Sequence, residues 1–368
     1  MQIISEGKAK IRVPKIVSKA VSKKMPVFYN PIMEFNRSLS ISLLNNISNK
    51  DMKIALPLAA TGIRGIRFIH ELKRGKIGEI KFNDIDIKAF RFTMENLQLN
   101  DISKDVVVSS MDANIFMMNN EGFDYIDIDP FGSPNPFLET AVKKLSRSGI
   151  LAVTATDTAA LCSAKPKACL RKYWSHSMWN EQMQDIGLRV LARRVQLIGA
   201  MHDKALTPIY SYAKDHYFRI FFLCQKGKQL CDKMLKKHLY FLYCTKCMGR
   251  RLSKHNNEKC CGKTMDFAGP IWTGKLWDTK LARKISVDFA PKKERTFCSN
   301  IANEALIDNV GIYDLHKLSK LYQIKPPKPE NVIAALKKKK FKASRTHINN
   351  NYIRTNASIS DIVQILKK

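Results

Sequence analysis

FDYIDIDPFGSPNPF, residues 123 to 137, carries an apolar run into an abrupt Asp-Pro-Phe-Gly. A strand buried in a sheet rarely holds a carboxylate except at an end, where the charge can face a ligand. Asp129 therefore marks a strand end as a working surface, stiffened by Pro130 and Pro134. Working outward, "PFLETAVKKL" has helical spacing and "GILAVTAT" reads as the next strand. Upstream, "MKIALPLAA", "EIKFND" and "DVVVS" read as strands, with helices in "IRGIRFIHELKR" and "IKAFRFTMENLQL" between them. Such alternation predicts parallel strands joined by crossover helices, a doubly wound α/β sheet.

Past residue 156, "NEQMQDIGLRVLARRVQLIGAM" reads as a long helix. "TPIYSYAKDHYFRIFFLC" reads as two strands turning at Lys214-Asp215, an antiparallel hairpin on the sheet edge. A parallel sheet finished by such a hairpin is the outline of a class I, Rossmann-like S-adenosylmethionine (SAM) methyltransferase. The composition shifts near "QKGKQLCDK", which predicts a first domain over 1–229 and a basic second domain over 230–368. The second is expected to be a smaller α+β unit with a zinc-ribbon-like insert. Its end, "IYDLHKLSKLYQI", "NVIAALKKKKF" and the short extended pieces after them, resembles a winged helix.

The charge is not ordinary: 63 Lys and Arg against 32 Asp and Glu leave +31 over 368 residues. That imbalance attracts a polyanion, and nucleic acid is the leading candidate over a merely Lys-rich, solvated surface. No apolar run is long enough to span a bilayer, and no secretory h-region follows the first residues. Nine cysteines, two of them in "CTKC", suit reduced thiols and a metal site rather than a secreted disulfide framework. The expectation is a soluble, cytoplasmic protein without an obligate protein partner.

Ligands of doubly wound sheets bind at the carboxyl ends of the strands. The first such end offers "AATGIRG", where Gly62 and Gly65 suit a tight turn into a helix. The second offers Asp84, twenty-two residues after Gly62, placed to accept from ribose hydroxyls or else to cap a helix. The third offers Asp112 in "MDAN", placed for an adenine amino group or, again, a cap. The glycine pattern is not the Gly-x-Gly-x-x-Gly of nicotinamide enzymes. An exocyclic amine is a poor nucleophile because its lone pair is delocalised into the ring. An acceptor such as Asp129 can bind its N–H and aim the lone pair at a methyl group, while Phe131 offers a stacking face.

"DPFGSP", "ATGIRGIRF", "FYNPIMEFNR", "TATDTAALC" and "YAKDHYFRIFF" together resemble the tRNA (guanine-N2-)-dimethyltransferases, which convert guanosine 26 of tRNA to N2,N2-dimethylguanosine with SAM. The resemblance runs from Glu6 to about Arg345. It implies that Arg37 and Arg64 contact SAM, that Asp84, Asp112 and Ala113 bind its ribose and adenine, and that Asp129 is catalytic. Phe28 and Phe131 match aromatics able to hold the target guanine. Many members carry an acid before the glycine turn where this chain has Leu56. The alternatives are a base methyltransferase acting on another tRNA guanosine or adding one methyl, or an RNA-binding protein that has only kept the fold.

Cys244 and Cys247, with Cys260 and Cys261 following, give a knuckle and a second thiol pair able to reach one tetrahedral, structural zinc. Because Cys260 and Cys261 are adjacent, His255 is the other candidate for the fourth ligand. "KKKKFKASR", residues 337 to 345, concentrates positive charge for tracking a tRNA backbone.

Overall fold

The computed structural model describes all residues except 15–26, 103–105, 290, 292–293 and 368. An antiparallel hairpin, β1 (Gln2–Glu6) and β2 (Ala9–Val13), opens the chain. The main sheet then uses β3 (Met52–Leu56), β4 (Ile77–Asn83), β5 (Val106–Ser109), β6 (Phe123–Ile128), β7 (Leu145–Ala155), β8 (Lys204–Lys214) and β9 (Tyr217–Lys226). Their order across the sheet is β5-β4-β3-β6-β7-β9-β8. The first five are parallel, and β9 runs antiparallel to both β7 and β8. β6, β7 and β9 are apolar runs because helices cover both faces of the sheet.

Strand order reverses between β3 and β6, which leaves a crevice at their carboxyl ends. The turn after β3 enters the helix Ile63–Glu71 through Gly62, whose φ of +76° suits glycine. Gly65 has a different reason: a Cβ there would meet the Phe82 ring at 2.1 Å, so it lets this helix lie close on β4. Pairing of β8 with β9 brings Lys214 opposite Tyr217, so the hairpin turns at Asp215-His216, one residue later than "KD" suggests.

After β9 the helix Lys228–Leu235 packs back on β8 and on the helix Met183–Met201. Next come β10 (His238–Tyr243), β11 (Arg250–Ser253), β12 (Lys259–Cys260), β13 (Lys263–Thr264) and β14 (Asp266–Trp272). β11, β10 and β14 form one small sheet, and β12 and β13 a hairpin. Helices Thr279–Asp288 and Arg295–Glu304 follow. The chain ends with β15 (Tyr313–Asp314), helices Leu315–Tyr322 and Pro329–Lys338, β16 (Ala343–Arg345), β17 (Tyr352–Thr355) and the helix Ile359–Leu366.

One apolar core runs from Ala9 to Ile362 across both parts. A buried ionic network joins them as well. Asp185 accepts from Arg189 at 3.0 Å and from Arg354 of β17 at 2.8 Å, and Arg354 also reaches Glu304 at 3.1 Å. Burial would raise the Asp185 carboxyl, but the two guanidiniums hold it well below the usual range. Among the described residues no helix is long and apolar enough to cross a membrane.

Candidate active site and cysteine cluster

Asp129 follows directly after β6, at the crevice where strand order reverses. Arg64, in the first turn of the helix after β3, donates Nη2 to the Asp129 carboxylate. The same guanidinium uses Nη1 on Asn36 Oδ1 (2.9 Å) and Ser40 Oγ (3.2 Å). It also lies 3.5 Å from Asp127. Alternation along β6 separates Asp127 from Asp129 by one pleat, so both carboxylates lie on the side of the sheet where Arg64 runs.

Asp127 is the buried counterpart. Arg219 of β9 binds it through both terminal nitrogens, at 3.0 and 2.7 Å, and Tyr125 donates at 2.5 Å. Burial pushes the Asp127 carboxyl up, and the Arg219 and Arg64 guanidiniums more than reverse this, so it stays ionised. Its partner Arg219 is fully buried and also donates to Thr154 at 2.8 Å. Reading the sequence missed this pair. A single arginine inside the apolar strand "YFRIFF" was the available signal, because such a charge needs a buried partner.

Arg37 sits on the helix Glu34–Asn46 with Asn36 and Ser40. Its Nε and Nη2 reach Glu6 at 2.6 and 2.5 Å. Glu6 also takes Arg67 at 3.0 Å and the Tyr29 hydroxyl at 2.9 Å, so the opening hairpin is clamped onto the sheet domain.

Asp84 accepts the backbone N–H of Ala60 at 2.8 Å and of Asp86 at 3.1 Å. Burial raises its carboxyl above the usual range. The helix after β4 is capped by Asp86, not by Asp84. Asp112 does cap its helix, taking the N–H groups of Asn114 and Ile115 on one oxygen, with Ala113 as the first helical residue. Phe28 and Phe131 meet edge to face, with centroids 4.2 Å apart. Gly132 anchors the loop by donating to Thr156 Oγ1 at 2.6 Å and accepting from Thr156 N at 2.9 Å. A cavity of about 620 Å3 lies elsewhere, beside helices Arg295–Glu304 and Pro329–Lys338; Lys337, Lys342 and Arg345 of the basic stretch line it, and none of the residues gathered around Asp129 does.

Cys244, Cys247, Cys260 and Cys261 place all four sulfurs within 4.8 Å of one another. Cys247 and Cys260 are 3.7 Å apart, and Cys260 and Cys261 3.8 Å. Adjacent cysteines converge because Cys261 and Gly262, at φ +51° and +76°, make the tight turn between β12 and β13. His255 is not in the group. Burial raises the Cys244 thiol, but backbone N–H groups of Cys247 and Lys246 bring it down to about 7.

Sheet order and strand-end polar groups define the class: a SAM-dependent methyltransferase of Rossmann-like fold with a mixed sheet. The family model described as N2,N2-dimethylguanosine tRNA methyltransferase matches residues 7–367. The chain is 37% identical to a tRNA (guanine(26)-N(2)/guanine(27)-N(2))-dimethyltransferase of Aquifex aeolicus, covering 100% of this chain and 96% of the relative. It is 35% identical to a tRNA (guanine(26)-N(2))-dimethyltransferase of Methanocaldococcus jannaschii, covering 99% and 98%. A solved structure of Trm1 from Pyrococcus horikoshii with S-adenosyl-L-methionine superposes with a TM-score of 0.89, at 33% identity and full coverage of both chains. The chain belongs to the N2,N2-dimethylguanosine tRNA methyltransferase family.

Proposed function

We propose that the residues gathered where the strand order reverses carry this family's reaction, dimethylation of N2 of guanosine 26 in tRNA with SAM as donor. The observation that supports the reading best is Asp129 at that reversal, oriented by Arg64, in a chain that matches the family over residues 7–367. The donor set fits the cofactor. Asp84 keeps lone pairs for ribose hydroxyls after its two backbone bonds. Near Asp112, the buried Asn114 Oδ1 has no hydrogen-bond partner and suits an adenine amino group. SAM supplies an electrophilic methyl group. Arg37 contributes to the cofactor's carboxylate through Nη1, since its other nitrogens hold Glu6.

Asp129 accepts an N–H of the guanine amine, turns the nitrogen lone pair outward and favours the positive charge developing on nitrogen. It need not take the proton before attack, because the amine becomes acidic once alkylated. Phe28 and Phe131 hold the base by stacking, which requires the two rings to part from their present contact. The guanosine must leave the tRNA stack to arrive there.

The chemistry falls to residues 1–229 and tRNA grip to residues 230–368. In the second part, the order β15, two helices, β16, β17 supports the winged-helix reading, and Lys337 to Lys340 are exposed for phosphate contact. Four thiols at these separations match a tetrahedral zinc, for which bonds of about 2.3 Å set sulfurs about 3.8 Å apart. The ion would tie the β12–β13 hairpin to the knuckle and take no part in methyl transfer.

Incubation of an unmodified tRNA transcript with protein and SAM, followed by nucleoside mass spectrometry, tests the function. Dimethylguanosine should form, and should vanish when guanosine 26 is replaced. Asp129→Ala should slow both methyl additions by at least about 10²-fold while binding SAM and tRNA. Dimethylation at the normal rate in that variant refutes the role of the carboxylate.

A further inference from the structure

The segment from Thr158 to Asn180 contains Lys165, Lys167, Arg171 and Lys172 and no acidic residue. Its helix, Pro166–Tyr173, buries Cys169 and Tyr173. Lys167, Leu170, Arg171 and Trp174 lie at helical spacing on the outer face. Trp174 is 56% exposed, Trp179 65% and Leu170 47%, and the four cations are exposed as well. Trp174 closes the helix at φ +53°, a backbone region that bulky side chains seldom adopt. Its indole is thereby presented outward rather than folded into the core.

This tryptophan is fixed to the catalytic loop. The Arg194 guanidinium lies 4.3 Å from the indole centroid, and its Nε donates to Asn135 Oδ1 at 3.1 Å. Asn135 Nδ2 donates to Lys172 O at 2.9 Å, and Arg193 donates to Trp174 O at 2.9 Å. Tyr173 donates to Asp157 at 2.6 Å and meets Ser133 Oγ at 3.1 Å. Ser133 and Asn135 stand four and six residues after Asp129, in the segment that leads into the helix Asn135–Lys144.

We propose that Trp174, backed by Arg194, is a stacking platform for an unpaired tRNA base beside the extruded guanosine, with Lys167 and Arg171 taking the flanking phosphates. The inference deepens the tRNA dimethyltransferase reading and rests on it. One face of the indole meets a guanidinium, and an exposed aromatic accepts any base on its free area without hydrogen-bond readout. Extruding one nucleotide unstacks its neighbours, so a rigid ring anchored to the catalytic loop holds the opened strand near Asp129. Lys172 meets Asp157 at 3.4 Å, and the remaining exposed cations leave an excess of positive charge beside the ring that favours a polyanion over a protein partner.

The test measures tRNA and SAM affinity for Trp174→Ala, Trp174→Gly, Trp174→Phe and the double variant Lys167→Ala/Arg171→Ala. Glycine suits the positive φ, so Trp174→Gly removes the ring without straining the backbone. Trp174→Ala and Trp174→Gly should each weaken tRNA binding about tenfold or more, keep the wild-type salt dependence and leave SAM affinity unchanged. Trp174→Phe should restore most of the loss. The double variant should flatten the salt dependence by about one to two units of log–log slope. Wild-type tRNA affinity in both Trp174→Ala and Trp174→Gly overturns the platform, and if wild-type protein still dimethylates tRNA then this inference alone has failed. Absence of methyl transfer by the wild-type protein instead overturns the enzymatic reading and the platform with it.

Discussion

Replacing Asp127 with alanine leaves Arg219 with no solvent contact and only neutral partners, the Ser40, Tyr125 and Thr154 hydroxyls. Arg64 keeps Asp129 but loses its second carboxylate neighbour. Removing one partner of a buried pair costs about 3–5 kcal/mol, because the other charge stays desolvated. With an unfolding entropy of about 2.1 cal/mol/K per residue over 368 residues, that lowers Tm by about 4–6 °C. Asp127→Asn keeps the shape and some hydrogen bonds, and should fall between the two. Asp127→Ala/Arg219→Met removes both charges and should recover most of the lost stability. Loss of the Asp127 contact also loosens Arg64, and single-turnover methyl transfer should slow by up to about 10²-fold. The pH dependence has a defined sign. The folded chain holds Asp127 as a carboxylate below its usual titration range, so protons favour the unfolded chain. The contribution is whole above about pH 4 and is lost as pH falls further, through the lowered folded-state value. Circular dichroism melts at several pH values, read beside the single-turnover rate, make the check. An Asp127→Ala melt within 1 °C of wild type (about the precision of such a melt), with an unchanged rate, refutes the assigned role.

Three other outcomes are expected. Purified protein should carry about one zinc per chain by elemental analysis, Cys244→Ser should lose it, and His255→Ala should keep it; metal-free protein of unchanged stability removes the site. Asp84→Ala should weaken SAM binding by about 1–3 kcal/mol in titration calorimetry while tRNA affinity holds; a normal titration would leave Asp84 a brace for the Ala60 and Asp86 backbone only. Neutralising Lys337 to Lys340 should weaken tRNA binding and flatten its salt dependence, and equal affinities across a salt series would count against that surface.

Local pattern carried much of the architecture. Apolar runs of strand length, alternating with helically spaced segments, were enough to expect the parallel strands and the closing hairpin, since each periodicity reflects which face is buried. The pieces that broke no periodicity were harder to see. The opening hairpin and the helices Pro166–Tyr173, Thr279–Asp288 and Arg295–Glu304 were not read from the sequence, although each helix has an apolar face. The last two pack chiefly on each other, and the hairpin lies against the helices Ile63–Glu71 and Ile87–Leu99.

In the site, chain order alone placed Asp129, Asp84 and Asp112 at strand ends, because a charged residue ending an apolar run has few other places to go. Sequence did not decide which charges meet. Glu6 and Arg37 are 31 positions apart, Asp127 and Arg219 are 92, and Asp185 and Arg354 are 169. An ion pair leaves no periodic trace in either of its segments, and only strand register and helix packing bring the two ends within 3 Å. The cysteines show the same division. Their spacing left Cys260 and His255 as alternatives, and it is two positive φ values at Cys261 and Gly262 that turn neighbouring thiols toward one point, with His255 outside the group. Residue types thus determined what chemistry was available along this chain, and tertiary packing decided which groups stand close enough to perform it, since electrostatic and hydrogen-bonding partners act over a few ångströms of space rather than over sequence.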